Sequence, residues 1–398
     1  MPDKPASSAP SLRIAMLAAC PLPAPRGTPV RIQRIAEHLG QRGHDVHVFT
    51  YGLENPQPIA NVTVHRTPRV WGYRGDTPGP NGTKLLLLDP LLARLFAQCA
   101  RRMHFDVIHA HHAEGLLVCL PGRRHARAPV IYDVHTLLGA ELPFYSSLLP
   151  RWLRARAGTL LDHALPRTAD RVIAVSEEIR NTLDNGARRH RPPAAVIPNG
   201  VESEFLAKGE RAQRAHDGEA PTLVYAGNLA AFQGIDPLLR MFACARAELP
   251  ALRLRLLTHS DFSPYLRLAR ELRVHEAIDV EACTLADLPA RLARASVAVN
   301  PRSSCSGIPQ KLINYMAAGC AIVSFAGSAK HIQDAKEGLV VADGNTHALA
   351  QAALQLIRDR GLARTLGERA WDKANRLFGW DATAQRVEHV YADAIGGR

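Results

Sequence analysis

RIAMLAACPLPAPRGTPVRIQRIAEHLGQRGHDVHVFTYG, residues 13–52, carries two different periods. Leu12–Leu17 is a short apolar run, sized for a buried strand. After a Pro-rich loop, Ile32, Ile35, Ala36 and Leu39 recur at the spacing of one buried helix face. Arg42-Gly43-His44 ends that helix, with Gly43 as its left-handed cap. Val46–Thr50 is the next apolar strand. Strand, helix and strand in this order form a parallel βαβ unit.

The pattern continues on both sides of a break. Val107–Ala110, Val130–Tyr132 and Val172–Val175 read as further strands of the first half. Thr222–Tyr225, Arg253–Leu257, Ala277–Val280, Val297–Val299 and Ala321–Phe325 repeat the theme, with helices such as Pro237–Ala247 and Gln310–Ala318 between them. The break follows Ile197-Pro198-Asn199-Gly200, and the polar stretch 202–220 reads as a linker. An amphipathic helix, Asp381–Ile395, closes the sequence. The reading is an α/β chain of two doubly wound, Rossmann-like domains: residues 1–202 together with the helix 379–398, and residues 203–378.

Composition narrows the function classes. With 398 residues, 46% of them hydrophobic and 22% charged, the chain can bury two cores without staples. Its 7 cysteines are scattered with no C-x-x-C pair, so a disulfide framework or zinc site is not expected and a reducing, cytoplasmic setting is. The N-terminus lacks the ordered parts of a signal peptide, and no stretch reaches the roughly 18 apolar residues of a membrane span. Of the net charge of +12, residues 1–200 carry +10 and residues 201–398 carry +2. That asymmetry points to an anionic partner on the first half, a phosphate-bearing acceptor or an acidic membrane surface, or to a merely solvated basic surface. The basic residues are dispersed and form no nucleic-acid motif, so no nucleic-acid partner is expected.

Several segments in fixed order carry a family resemblance. They are residues 13–52 above, then FDVIHAHHAEGLL, DRVIAVSEEI, AVIPNGVE, LVYAGNLAAFQGIDPLL and SGIPQKLINYMAAGCAIVSF. Together they resemble glycosyltransferase family 4, retaining enzymes of the two-Rossmann-domain (GT-B) type, over nearly the whole length. The resemblance implies two domains facing across a donor cleft, the final helix returning to the first domain, a nucleotide-sugar donor, and no cofactor or metal.

Strand ends are where open parallel sheets bind ligands. Gly27 and Thr28 follow the first strand and open a helix, where free N–H groups suit an anion such as the donor diphosphate; Gly27 equally suits a plain tight turn. The absence of G-x-G-x-x-G there argues against a dehydrogenase. His109 and His111 point the same way by strand alternation. The resemblance places His111 against the transferred sugar, as the catalytic residue; His109 and His112 read as loop histidines. A metal is not expected at this H-x-H-H, which has no carboxylate nearby in sequence terms. Arg26, His135 and Thr136 are assigned to the acceptor side, with a structural role open for the last two.

The chain departs from the family at three places. Two glutamates eight residues apart are usual; here Ser306 and Asn314 stand there, flanked by Gly307 and Ile308, whose N–H groups are expected at a helix N-terminus. An Arg and a Lys usually neutralise the leaving diphosphate; here Asn228 and Gln233 do not, leaving Lys311, Arg302 and Arg26 to supply charge. Leu257-Thr258-His259-Ser260 replaces a glycine-rich loop. The expected function is transfer of a sugar from a nucleotide diphosphate sugar to an unknown, anionic or lipid-linked acceptor hydroxyl, with peripheral membrane contact. A non-catalytic homologue that binds glycans or partners is the alternative, and a nucleotide-sugar epimerase ranks third.

Overall fold

A computed structural model describes residues 10–24, 27–54, 57–71, 73, 83–144, 149–185, 194–202, 205, 220–284, 286–305 and 308–397. The chain forms two compact units, residues 1–199 with 380–398 and residues 200–379.

The first unit is built on one sheet. Its strands are β1 (Arg13–Ala18), β2 (Asp45–Thr50), β3 (Thr63–Arg66), β4 (Val107–His111), β5 (Val130–Val134), β6 (Arg171–Ala174) and β7 (Ala195–Val196), in the order β3-β2-β1-β4-β5-β6-β7. Every pairing is parallel. Alternation along β1 sends Ile14, Met16 and Ala18 into one core and Ala15 and Leu17 into another. The first core is closed by the helices Gly27–Gln41 and Trp380–Gly396, the second by Asp89–Ala100 and His112–Ala126. Gly43 takes the left-handed backbone (φ 97°) that turns the chain from the first helix into β2.

The second unit repeats the design. Its strands are β8 (Thr222–Ala226), β9 (Arg253–Leu257), β10 (Ile278–Glu281), β11 (Val297–Asn300), β12 (Ile322–Phe325) and β13 (Leu339–Val341), in the order β10-β9-β8-β11-β12-β13, all parallel. In both sheets the order reverses beside the first strand of the unit, which opens a crevice at the carboxyl ends there.

Sequence periodicity misses three strands, β3, β7 and β13. Each is short, and none of their residues is fully buried, so none shows an apolar run. The final helix runs Trp380–Gly396 and packs in the first unit through Trp380, Ala384, Val387, Val390, Tyr391 and Ala394.

Candidate functional site

In the first unit, register determines which polar groups meet. Met16 pairs with His109, Ala18 with His111, and His111 with Asp133. These residues share one sheet face at the carboxyl end, as does His135 two residues beyond Asp133. The helices Gly27–Gln41 and Trp380–Gly396 cover that face and add Arg31 and Tyr391.

Asp133 is the hub, with no exposed surface. Arg31, 1% exposed, grips both carboxylate oxygens, with Nε 3.0 Å from Oδ2 and Nη2 3.3 Å from Oδ1. Its remaining nitrogen donates to the Pro198 carbonyl and the Asn199 side chain at 3.0 and 3.3 Å. Three imidazoles surround Asp133 Oδ2: His109 Nε2 at 3.5 Å, His111 Nδ1 at 3.4 Å and His135 Nε2 at 3.4 Å. The expectation that the histidine cluster lacks a carboxylate is therefore corrected: the partner comes from β5, not from nearby sequence. His109 and His112 are likewise not loop histidines. His109 lies inside β4, stacked on His111 at 4.1 Å and bonded to the Tyr391 hydroxyl at 2.7 Å. His112 opens a helix with φ 62° and meets Thr28 Oγ1 at 2.9 Å.

Electrostatics follow from burial. Burial pushes the Asp133 carboxyl up, but the Arg31 guanidinium overrides it and holds that carboxyl well below its ordinary range. Burial, then the neighbouring His109, holds His111 well below the usual imidazole value, and burial takes His135 down to about 3. Both imidazoles are neutral at neutral pH. His111 Nδ1 is held between Asp133 and His135 Nε2, the latter at 3.3 Å. Its Nε2 is buried and has no hydrogen-bond partner among the described residues. That atom is what His111 has left for a ligand.

His109, His111 and Asp133 each bring one ligand atom within 4.8 Å of the others, a spacing compatible with a metal ion. Arg31 already occupies both oxygens of the carboxylate, so a divalent ion there would face a fixed positive charge.

The other first-unit assignments fare differently. Gly27 begins its helix, and a Cβ added there meets nothing within 4 Å. The Thr28 hydroxyl faces His112 and His135, the latter at 3.3 Å, within the histidine network. The Thr136 hydroxyl is buried and unpartnered. Arg26, Ser306 and Gly307 lie outside the described residues.

In the second unit, the turn after β8, the loop after β11 and the helix Gln310–Ala317 converge. Gly234, at φ 78°, allows this: a Cβ there would lie 2.2 Å from the Pro301 carbonyl oxygen. Lys311 is buried. Its Nζ donates to the Tyr225 hydroxyl and to Gln233 Oε1, both at 2.7 Å. The Tyr225 hydroxyl in turn donates to the Asn228 carbonyl, also at 2.7 Å. The Asn228 side chain is exposed and accepts from the Ala230 N–H. Arg302 sits over the Phe232 ring at 5.1 Å. Asn314 is buried and accepts from Gln310 at 3.3 Å. Ile308 precedes the helix, whose first residue is Gln310 after the cap Pro309, so its N–H is not a helix N-terminal group.

Arg31, Asp133, Tyr225 and Tyr391 are the residues that sequence reading missed. Arg31 borders an apolar helix face, and Asp133 interrupts an apolar strand; a charge in such a place is the signal that could have found them.

Solved structures share this architecture. Sucrose-phosphate synthase from Thermosynechococcus elongatus superposes with a TM-score of 0.77 at 20% identity, covering 97% of this chain and 100% of that one. Anabaena Alr3699/HepE in complex with UDP gives 0.71 at 16% identity, covering 96% and 100%. The likeness is one of fold: two Rossmann-like units, each an open parallel sheet. Among curated relatives, a D-inositol 3-phosphate glycosyltransferase of Streptomyces bingchenggensis is 27% identical over 93% of this chain and 85% of its own. An exopolysaccharide phosphotransferase of Streptomyces coelicolor is 26% identical over 63% of this chain, but the match spans only 26% of that protein. The family model Glycosyltransferase Family 4 matches residues 25–205, and Glycosyl transferases group 1 matches residues 220–359. The chain belongs to glycosyltransferase family 4.

Proposed function

We propose that this glycosyltransferase is retaining, and that it moves a sugar from a nucleotide diphosphate sugar to an acceptor hydroxyl. The observation that carries the reading is the buried Lys311, whose bonds among the described residues go to two neutral oxygens, on β8 and in the turn after it. A buried amine with no counter-ion among the described residues would have its charged form stabilised by an anion, and a nucleoside diphosphate is the anion that sugar transfer releases. Asn228, Gln233, Arg302, Ile308 and Asn314 complete the donor side in this reading, with Ser306 and Gly307 joining them by family position. The likeness to a structure holding UDP supports a uridine donor. A curated relative named for inositol 3-phosphate supports a phosphate-bearing acceptor, in keeping with the basic first half.

In the reaction, the bond between the anomeric carbon and the diphosphate oxygen breaks while the acceptor oxygen bonds to the same face of that carbon. The acceptor proton passes to the departing diphosphate. No protein nucleophile takes part and no metal is required. Neutral His111 uses Nε2 to fix a sugar hydroxyl, which positions the anomeric carbon. His135 and Thr136, with Arg26, serve the acceptor side.

A panel of UDP-, GDP-, ADP- and dTDP-sugars, read by nucleoside diphosphate release with mixed lipid and glycan acceptors, tests the reading. Binding without any release would favour a non-catalytic homologue, which the loss of both family glutamates also fits. His111→Ala should lower turnover by about a hundredfold while nucleotide affinity changes little. Asn314→Ala should weaken nucleotide affinity by about five- to tenfold, the worth of one neutral hydrogen bond. Full turnover in folded His111→Ala would return the histidine to the scaffold.

We also propose that the protein lies on anionic membranes through the helix Arg151–Ala164. Leu149, Trp152 and Leu160 are 53%, 68% and 65% exposed, and Trp152, Arg156 and Leu160 recur every four residues along one stripe. Phe144, Leu153 and Arg154 adjoin it in sequence; Tyr145 and Leu148 fall outside the described residues. No helix among the described residues is long and apolar enough to cross a membrane. Flotation with phosphatidylglycerol vesicles at low salt should carry the protein upward, and Trp152→Ser with Leu160→Ser should leave it at the bottom. A wild-type protein that does not float removes the idea.

A further inference from the structure

We infer that Lys311 is a proton-coupled anchor: its amine takes a proton from solvent as a diphosphate arrives, so anion binding and protonation are one event. This rests on the donor reading above and adds to it a dependence on pH.

The geometry carries the argument. Lys311 lies on the buried face of the helix Gln310–Ala317, and the groups it meets among the described residues carry no negative charge. From β8 comes the Tyr225 hydroxyl at 2.7 Å, with the face of the same ring 4.0 Å from Nζ. From the turn Ala231–Gln233 comes Gln233 Oε1, at 2.7 Å. The loop after β11 brings Arg302, a second positive charge. One turn further along its own helix, Tyr315 uses its hydroxyl to accept from the Ala226 N–H. Among the described residues no carboxylate lies within ion-pair distance of Nζ. An ammonium here is solvated by two neutral oxygens and a ring face and is repelled by a guanidinium. Burial, then Arg302, accordingly brings this amine down to about 7.

A diphosphate reverses that balance. Its negative oxygens favour the charged form of any amine beside them, and they also neutralise Arg302. The amine of the empty site is largely uncharged above neutrality and becomes an ammonium in the complex. Gly227, at φ 142°, lies beside the amine: a Cβ there would make ordinary van der Waals contact with Lys311 Nζ at 3.4 Å.

Calorimetric titration with UDP at about pH 8, in two buffers of different ionisation enthalpy, reads the proton directly. The terminal phosphate of the nucleotide is already fully ionised at that pH and does not contribute. The expected result is uptake of close to one proton per UDP bound, with affinity falling about tenfold for each pH unit above 7. Lys311→Arg, which stays charged throughout, should bind UDP at about pH 8 without proton uptake and with affinity independent of pH from about 7.5 to 9, where the nucleotide is fully ionised. The wild-type measurement stands even if that variant fails to fold. UDP binding with no proton uptake and a flat pH profile overturns the inference and leaves the donor reading intact. If UDP, GDP, ADP and dTDP all fail to bind from pH 6 to 9, and no sugar donor is turned over, both fall together.

Discussion

Replacing Asp133 with alanine is expected to destabilise the first unit by about 3–5 kcal/mol, the cost of leaving one member of a buried ion pair without the other. Arg31 is 1% exposed, and its fork has no second carboxylate to turn to among the described residues. The same change removes the group that holds His111, His135 and His109 in place, so any folded fraction should lose turnover as well. The double variant Arg31→Met with Asp133→Leu should recover most of the stability and none of the activity. Urea denaturation and turnover measurements on the wild type and the two variants separate the two effects. If Asp133→Ala unfolds at the wild-type midpoint, the cluster is not the keystone described.

The same cluster sets an acid limit. His111 and His135 have folded-state values below the ordinary imidazole value, so the unfolded chain binds more protons than the folded one below about pH 6.5. Their contribution is complete above that pH and is lost as pH falls below it, for His135 down to about 3. Each adds up to about 1.4 kcal/mol of slope per pH unit. Asp133 behaves similarly but further down: its stabilisation is present above the unfolded carboxyl value and is lost only when pH falls through its own depressed value.

Lys311→Met is expected to remove a pH dependence of opposite location. The folded amine sits at about 7 against an ordinary value of 10.5, so the unfolded chain binds the extra proton between those limits. Wild-type stability should therefore rise with pH across that window by about 1.4 kcal/mol per unit, relative to the methionine variant. The penalty is greatest below pH 7, where the site must hold an ammonium among neutral groups. The variant should be the less pH-sensitive protein and the poorer nucleotide binder, so that stability and function oppose each other at this residue. Parallel stability curves for wild type and variant between pH 7 and 10 would show that Lys311 carries its ordinary charge in the folded state.

Much of the fold was legible because its signals are local. The apolar runs at Ile14–Leu17, Val107–Ala110 and Val297–Val299 lie in strands buried on both faces, and such runs need no tertiary information to be recognised. β3, with its sequence Thr-Val-His-Arg at the sheet edge, was not legible because an edge strand lacks that double burial. The candidate site divides the same way. His111, Lys311 and Asn314 stand in segments that resemble the family, so their positions could be picked out. The partners that define their chemistry are distant in sequence: Asp133 is brought to His111 by β-register, and Tyr225 and Gln233 reach Lys311 across loops. Charge states depend on those pairings, which is why neutral imidazoles and a low lysine value could not be read from spacing.

The helix Trp380–Gly396 has a consequence for how the protein is made. Residues 1–199 leave the ribosome first, yet the sheet face carrying Met16, Val48 and His109, with Ile35 of the helix beside it, packs against a helix that begins 180 residues later. At ordinary synthesis rates that interval lasts about 10–40 s. Throughout it the nascent first half displays an uncovered apolar groove and a histidine whose hydroxyl partner, Tyr391, has yet to be translated. Its final folding must wait for the second unit to be threaded out. A nascent-chain holdase has that long to act, and a ribosome stalled anywhere in the second unit leaves behind a first half that is sticky and catalytically unfinished.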